Sequence, residues 1–85
     1  MLCNVYRVPP IGPPDPALAI ALRRYRELTG DTQEGLAYKC KLTVGSFAKI
    51  ERGEMNPTWT TLKNIAHGLD MKPAELVSLI EAAER

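Results

Sequence analysis

Five short runs of apolar residues at helical spacing occupy the chain from Asp15 onward. In the first run, Leu18, Leu22 and Tyr25 lie at i, i+4 and i+7 behind an Asp-Pro helix start, and a glycine closes the run. The later runs begin at Thr32, Thr43, Thr58 and Pro73. Apolar and polar residues nowhere alternate long enough to predict a sheet. The sequence therefore predicts an all-α domain of five short helices over residues 15–85.

Residues 1–14 form a separate segment, because they contain four of the seven prolines. Proline disfavours both helices and strand ladders, so this segment is predicted to be an N-terminal arm, extended or disordered. Within it, Val5, Tyr6 and Val8 favour a short strand. Two more specific roles stay open: a strand that pairs with its copy across a dimer, and an arm that reaches DNA with Arg7.

The size and the charge of the chain restrict its function. The core of an 85-residue chain leaves little room for a deep substrate pocket. His67 stands alone, without partners for metal binding or general-base chemistry. We therefore predict a binding module without a cofactor rather than an enzyme. The net charge is only +1, yet residues 1–52 hold eight basic and five acidic side chains. The N-terminal half is thus the part expected to contact an anion.

The cysteines and the apolar runs predict where the protein works. Cys3 and Cys40 are too far apart in sequence for a Cys-x-x-Cys motif, so neither a zinc site nor a disulfide framework is indicated. No apolar run approaches the roughly 18 residues of a membrane span, and the first residues lack the pattern of a signal peptide. A cytoplasmic protein with reduced thiols and no membrane partner is the expectation.

Residues 33–52 predict two short helices joined by a tight turn. Leu36, Cys40 and Phe47 supply apolar groups for the angle between the helices, and the small Ala37 lets the helices approach closely. The second helix of this pair then has an outer side open to solvent. A helix presented in this way fits the major groove of DNA, which is roughly 12 Å wide.

The segments ALRRYRELTG, TQEGLA, KIERGEMNPTWTTL, IAHGLD and AELVSLI, taken together, resemble the helix-turn-helix family of Cro and phage repressors, also called the xenobiotic response element family. The resemblance covers about residues 17–80. Within that family, TQEGLAYK is similar to the controller proteins of restriction–modification operons. The resemblance implies a five-helix repressor-like fold and a sequence-specific, DNA-binding transcriptional regulator whose partner is double-stranded DNA.

The resemblance also implies roles for individual residues. Gln33, in the first turn of its helix, corresponds to a glutamine that holds a DNA phosphate. From its own position, Thr43 is expected to cap the following helix, and a DNA contact is a further role open to it. The side chains at the candidate base-reading positions are Val44, Gly45, Ser46 and Lys49. The candidate phosphate contacts are Lys39, Lys41, Asn56 and Thr58. The family's glutamate and arginine at the end of the recognition helix often hold the scaffold by ion pairing, which points to Glu51 and Arg52. For Arg52 a phosphate contact is an equal alternative.

The base-reading positions depart from those of strong DNA readers. No Arg, Gln or Asn occupies the outer face, so bidentate base contacts, each worth about 1–3 kcal/mol of discrimination, are absent there. Val44 offers only methyl contact, best to a thymine methyl group, and Gly45 offers only access to the backbone. The alternative is that neither residue contacts DNA. Lys41 stands where the family usually has glycine, which costs roughly 1 kcal/mol if the residue is left-handed.

The fifth predicted helix has more apolar residues than one buried face requires. Val77 and Ile80 are the candidate residues of a homodimer interface that would place two recognition helices about 34 Å apart on a two-fold operator. The alternative is that this helix only covers the first one. For the whole protein we weigh a dimeric repressor against a different class, an antitoxin or adaptor module whose main ligand is a partner protein.

Overall fold

The computed structural model describes residues 15–84, which form five α-helices and no strand. The helices are α1 (Pro16–Thr29), α2 (Gln33–Lys39), α3 (Val44–Glu51), α4 (Trp59–Gly68) and α5 (Pro73–Ala83). The all-α prediction is confirmed for this part of the chain. The predicted N-terminal arm lies outside the described residues.

Side-chain caps set the start of four helices. The Asp15 carboxylate accepts a hydrogen bond of 2.9 Å from the Ala17 amide at the start of α1. The residues that cap α2, α3 and α4 in the same way are Thr32, Thr43 and Thr58. A capped amide no longer lacks a partner, so each of these residues favours a helix beginning directly after it. These are the positions at which the sequence predicted the helix starts.

Three helices end in the same kind of turn. After α2, α3 and α4 a residue adopts the left-handed conformation, and these residues are Lys41 (φ 58°), Gly53 (φ 74°) and Asp70 (φ 57°). In each turn its amide donates to the carbonyl three residues earlier, and the next amide donates to the carbonyl five residues earlier. Two of the three positions thus carry a side chain where glycine would be unstrained.

The core is built from one face of every helix. The largest fully buried apolar side chains are Leu22, Leu36, Phe47, Ile50, Ile65 and Leu76. The first helix packs against α3 and α5, and α2 packs against α3 and α4. Around the α2–α3 turn this packing holds one side of α3 against the core and leaves its other side uncovered.

Close contact between α2 and α4 depends on a glycine that the sequence analysis did not single out. A Cβ atom at Gly68 would lie 2.8 Å from the Cys40 backbone. The Cys40 thiol is free and buried, with its sulfur 3.7 Å from the Ile65 carbonyl oxygen. Burial raises the pKa of this thiol to about 11, so the sulfur stays protonated and packs as a small apolar group.

Candidate nucleic-acid interface

The outer side of α3 is open, as its sequence pattern predicts. Phe47 and Ile50 point into the core, whereas Gly45 and Lys49 are exposed and Val44 is 41% exposed. These positions follow from a period of 3.6 residues, which puts Phe47 and Ile50 on one side and Gly45 and Lys49 on the other. No part of residues 15–84 covers the exposed side.

The start of α3 is held in place by its cap. The Thr43 hydroxyl oxygen accepts a hydrogen bond of 3.1 Å from the Ser46 amide, and Ser46 itself is half-buried. Around Gly45 the space is free, since no heavy atom lies within 4 Å of where a Cβ would be. The first turn of α3 carries no acidic residue. A negatively charged ligand can therefore approach this turn without meeting either a side chain at Gly45 or a carboxylate.

Behind this surface, the carboxylate of Glu51 joins three helices. Glu51 is 4% exposed, and the guanidinium of Arg26 in α1 donates hydrogen bonds of 2.5 and 3.1 Å to its two carboxylate oxygens. Gln33 of α2 donates to the same carboxylate at 2.8 Å, and Arg23 donates to the Glu51 backbone carbonyl at 2.7 Å. The hydrogen bond and the charge of Glu51 raise the pKa of the Arg26 guanidinium. We call Arg23, Arg26, Gln33 and Glu51 the carboxylate brace.

Glu51 and Arg52, which the sequence predicts to hold the scaffold by ion pairing, have different partners. Glu51 pairs with Arg26, whereas Arg52 pairs with Glu54 at 2.8 Å on the surface, where both side chains are about half exposed. The Arg52 hydrogen bond lowers the pKa of Glu54. Sequence spacing does not distinguish these two pairings, because Arg26 is distant in the chain and reaches Glu51 only through the crossing of α1 and α3.

Gln33 lies at the start of α2, half-buried, with its side-chain nitrogen bonded to Glu51. An amide nitrogen carries two hydrogens, so one remains for a ligand at the surface. Glu51 thereby fixes the orientation of the side chain that the sequence predicts to hold a phosphate. This orienting contact had no signal in the spacing of the motif.

The predicted basic contacts have different surroundings. Lys41 is exposed on the left-handed residue of the α2–α3 turn. The Lys39 ammonium lies 3.3 Å from the Asp31 carboxylate in an exposed pair. Lys49 is exposed near the end of α3. Lys39 must therefore give up its pairing with Asp31, in whole or in part, to neutralise a phosphate, because its charge is already partly compensated.

The loop between α3 and α4 is tied to the start of α1. The Asn56 side-chain oxygen accepts a hydrogen bond of 3.0 Å from the Asp15 amide, and Asn56 and Thr58 are both exposed. Thr58 caps α4 by accepting from the Thr61 amide. The next residue, Trp59, is 57% exposed, and the Lys63 ammonium lies 5.9 Å from the centre of its ring.

The fifth helix packs on α1 and α4 and still exposes apolar groups on two flanks. Leu76 is buried, and Ile80 is half-buried against the core. Val77, three positions before Ile80, lies on the same flank and is exposed, whereas Leu79 is exposed on the opposite flank. The fifth helix thus covers α1, and Val77 is more available than Ile80 for an interface.

A shallow apolar groove of about 260 Å³ runs between α1 and α5. Its lining residues are Ala21, Arg24, Tyr25, Leu28, Leu79 and Ala82. Leu28 at its edge is 87% exposed. This groove lies on the side of α1 that faces α5, whereas the carboxylate brace lies on the side that faces α3.

Residues 15–84 contain neither a metal-binding cluster nor a membrane-spanning helix. No group of three His, Cys, Asp or Glu side chains there is arranged to hold a metal ion. None of the helices in that range has the length and the apolar character needed to cross a membrane.

Comparison with known proteins agrees with this geometry. A family model described as a helix-turn-helix domain matches residues 17–79. Among curated protein sequences no match was found.

Solved structures share the fold. The restriction–modification controller protein C.Esp1396I is 28% identical, with a TM-score of 0.71 over 80% of this chain and 88% of that chain. The controller protein C.AhdI from Aeromonas hydrophila is 32% identical, with a TM-score of 0.65 over 71% of this chain and 91% of that chain. The clp gene regulator ClgR from Corynebacterium glutamicum is 27% identical, with a TM-score of 0.69 over 79% of this chain and 71% of that chain.

Proposed function

The chain belongs to the helix-turn-helix family of DNA-binding transcriptional regulators, and we propose that it acts as a dimeric repressor that inserts α3 into the major groove. One observation carries this proposal: the outer side of α3 is uncovered while its inner side is fixed by the core and by the carboxylate brace. A rigid helix with one free side loses little conformational freedom when it enters a groove. Occupation of promoter DNA by the dimer would then block transcription.

Phosphate contacts position the protein in this proposal. Gln33 uses its second amide hydrogen and the free amides at the start of α2, and Lys41 and Lys49 supply charge. Lys39, Asn56 and Thr58 complete the predicted set of backbone contacts along the same side. Because the net charge is only +1, these local charges rather than the whole molecule would attract the duplex.

Base contacts are proposed for the exposed residues of α3. Lys49 is long enough to reach the acceptors of a guanine, and Thr43 and Ser46 have hydroxyl groups near the helix start. Val44 and Gly45 complete the predicted reading surface. With so few polar side chains, a large part of the selectivity must come from DNA shape and from the spacing of two half-sites.

Dimerisation would use the flank of α5 that carries Val77 and the exposed part of Ile80. Two copies related by a two-fold axis would place their α3 helices one DNA turn apart, about 34 Å. Each duplex would then receive twice the number of phosphate contacts, which increases the affinity and makes it more sensitive to salt.

The proposal is tested by measuring the affinity for selected and random duplexes by fluorescence anisotropy over a series of salt concentrations. We expect Lys49→Ala to reduce the ratio of specific to random affinity about tenfold, the effect of losing one good base contact. Gln33→Ala should weaken binding to all sequences equally. Because Gln33 is neutral, it should leave the slope of log affinity against log salt unchanged.

Arg24→Ala is the matched control, since it removes one positive charge from the side of α1 that faces the α1–α5 groove. It should change neither the ratio nor the slope by more than a small amount. Melting curves of each variant must show a folded domain, because Gln33 also contacts Glu51. Equal and negligible effects of Lys49→Ala and Gln33→Ala would contradict the assignment of these residues.

A second candidate function is favoured by the α1–α5 groove and by the exposure of Leu28. In this alternative the protein is an antitoxin or adaptor module, and a partner protein covers the groove. A contiguous exposed apolar surface is typical of a site that contacts another protein. A chain that binds no duplex even at low salt, where phosphate contacts are strongest, would favour this candidate over the repressor.

A further inference from the structure

The exposed side of the first turn of α3 carries the apolar side chain of Val44, no side chain at Gly45 and no acidic residue. Val44 is the first residue of the helix, its neighbour Gly45 has no side chain, and the residue one turn after Val44 is the buried Ala48. Val44, which is 41% exposed, therefore has no neighbouring side chain at position 45 to cover it. No heavy atom lies near the missing side chain of Gly45, so the fold does not require glycine at that position.

From this surface we propose that Val44 reads the C5-methyl group of a pyrimidine, and that Gly45 lets the helix approach closely enough for this contact. The inference rests on the proposed insertion of α3 into the major groove. Each base presents a distinct pattern there, and an apolar side chain complements only one of its features, the methyl group of thymine. Guanine, adenine and cytosine offer hydrogen-bonding groups that neither Val44 nor Gly45 can satisfy.

Neither Ser46 nor Lys49 carries a methyl group that would compete with Val44 for this contact. Ser46 is half-buried, and its amide is bonded to the Thr43 hydroxyl. Lys49 lies one turn after Gly45 and brings a positive charge to the side of the methyl contact, which complements the phosphates of the duplex. Val44 and Gly45 thus have the positive charge of Lys49 beside them, and no carboxylate in the first turn would repel DNA.

Thymine carries this methyl group in ordinary DNA, and 5-methylcytosine carries the same group. The experiment begins with selection of binding sites for the full chain from a duplex library with 20 random base pairs. Each selected thymine is then replaced, one at a time, by deoxyuridine, which lacks only the C5-methyl group. In a further arm, a cytosine placed at the sensitive position is compared with 5-methylcytosine.

We expect thymine to be enriched in each half-site and one deoxyuridine replacement to weaken binding about fourfold, the effect of removing one buried methyl group from the contact. Adding the methyl group to cytosine at that position should strengthen binding by a similar factor. In the Val44→Ala variant, thymine and deoxyuridine should bind equally, which assigns the effect to Val44 rather than to the shape of the DNA.

Gly45→Ala tests the close approach separately. Alanine favours the helix and has space at this position, so the variant should melt at a higher temperature than the wild type while it binds the selected duplex more weakly. Unchanged binding by this variant would overturn the role assigned to Gly45. An exposed Val44 is not needed for the core, and the deoxyuridine measurement on the wild type requires no variant at all.

Two results would overturn the proposal that Val44 reads the methyl group. One is that duplexes with deoxyuridine bind as tightly as those with thymine at every position. The other is that deoxyuridine reduces the affinity of the wild type and of Val44→Ala equally. If Gln33→Ala and Lys49→Ala weaken DNA binding in the same experiments, only this inference fails and the proposed function stands. If the full chain retains no duplex from the library, the proposed function fails together with it.

Discussion

Glu51 shows how one buried charge can organise a small domain. A carboxylate removed from water is costly unless it is paired and hydrogen-bonded. Here Arg26 and Gln33 bond its oxygens, and Arg23 bonds its backbone carbonyl, so α1, α2 and the end of α3 are linked through one residue. The same contact orients Gln33, which connects the stability of the fold to the candidate phosphate contact.

Removing Arg26 should test this residue. In Arg26→Ala, the Glu51 carboxylate remains buried without its main partner, and we expect a loss of as much as about 3 kcal/mol in the free energy of unfolding, less if water reaches the partly exposed site. Urea unfolding followed by circular dichroism measures the loss. Arg52→Ala is the matched control, because its pair with Glu54 is exposed and should contribute little. Equal losses for the two variants would show that the brace is no stronger than a surface ion pair.

At the scale of the element, the ends of the helices are less well matched to their sequence than the starts. The left-handed positions after α2 and α4 carry Lys41 and Asp70, whereas the one after α3 carries Gly53. The two side chains differ in their effect on the helix they follow. A positive charge near the C-terminal end of a helix interacts favourably with the helix dipole, and a negative charge interacts unfavourably.

Glycine at these two positions should therefore stabilise the protein unequally. We expect Asp70→Gly to raise the free energy of unfolding by about 1 kcal/mol, because it relieves both backbone strain and charge repulsion, offset in part by the entropy of the unfolded chain. Lys41→Gly should gain less, because it also removes a favourable charge. Thermal melting of the two variants measures the two gains in stability. Gly53→Ala, measured in the same way, should lose stability. A larger gain for Lys41→Gly would contradict this account.

At the scale of the whole molecule, exposed apolar residues of α5 and α1 form two candidate contact surfaces. Val77 with part of Ile80 forms one, and the α1–α5 groove edged by Leu28 and Leu79 forms the other. A chain of 85 residues buries a small core, and association with a second copy would stabilise it by mass action. Which surface is used determines whether two α3 helices can face one duplex.

We expect the wild type to be a dimer by light scattering and Val77→Glu to be a monomer of 9.4 kDa with an unchanged helical content. The reason is that a charge at an exposed apolar interface has to be removed from water on association. Leu79→Glu is the matched control on the opposite flank and should remain dimeric. Ile80 is a less suitable target, because it is half-buried against the core and its replacement also disturbs the fold.

Two outcomes would contradict this arrangement. A wild type that is already monomeric at micromolar concentration would remove the dimer. A dimer broken by Leu79→Glu and not by Val77→Glu would move the interface to the groove between α1 and α5. In that case a different two-fold axis would relate the two copies and would set the orientation of their α3 helices.

Local features of the sequence determined the helices and the face that each one buries. Asp15, Thr32, Thr43 and Thr58 begin helices because a cap acts on amides only two or three residues away. The spacing of apolar residues likewise gave the inward side of α3 and its open outer side, because the helical period is a property of the backbone alone.

Contacts between distant residues were decided only by the tertiary structure. Arg26 rather than Arg52 pairs with Glu51, Gln33 is anchored on that carboxylate, and Gly68 is required by the close approach of Cys40. Ile80 also packs against the core while Val77 stays exposed. Each of these depends on where two helices cross, and a crossing is fixed by the packing of both helices at once, which no single stretch of sequence encodes.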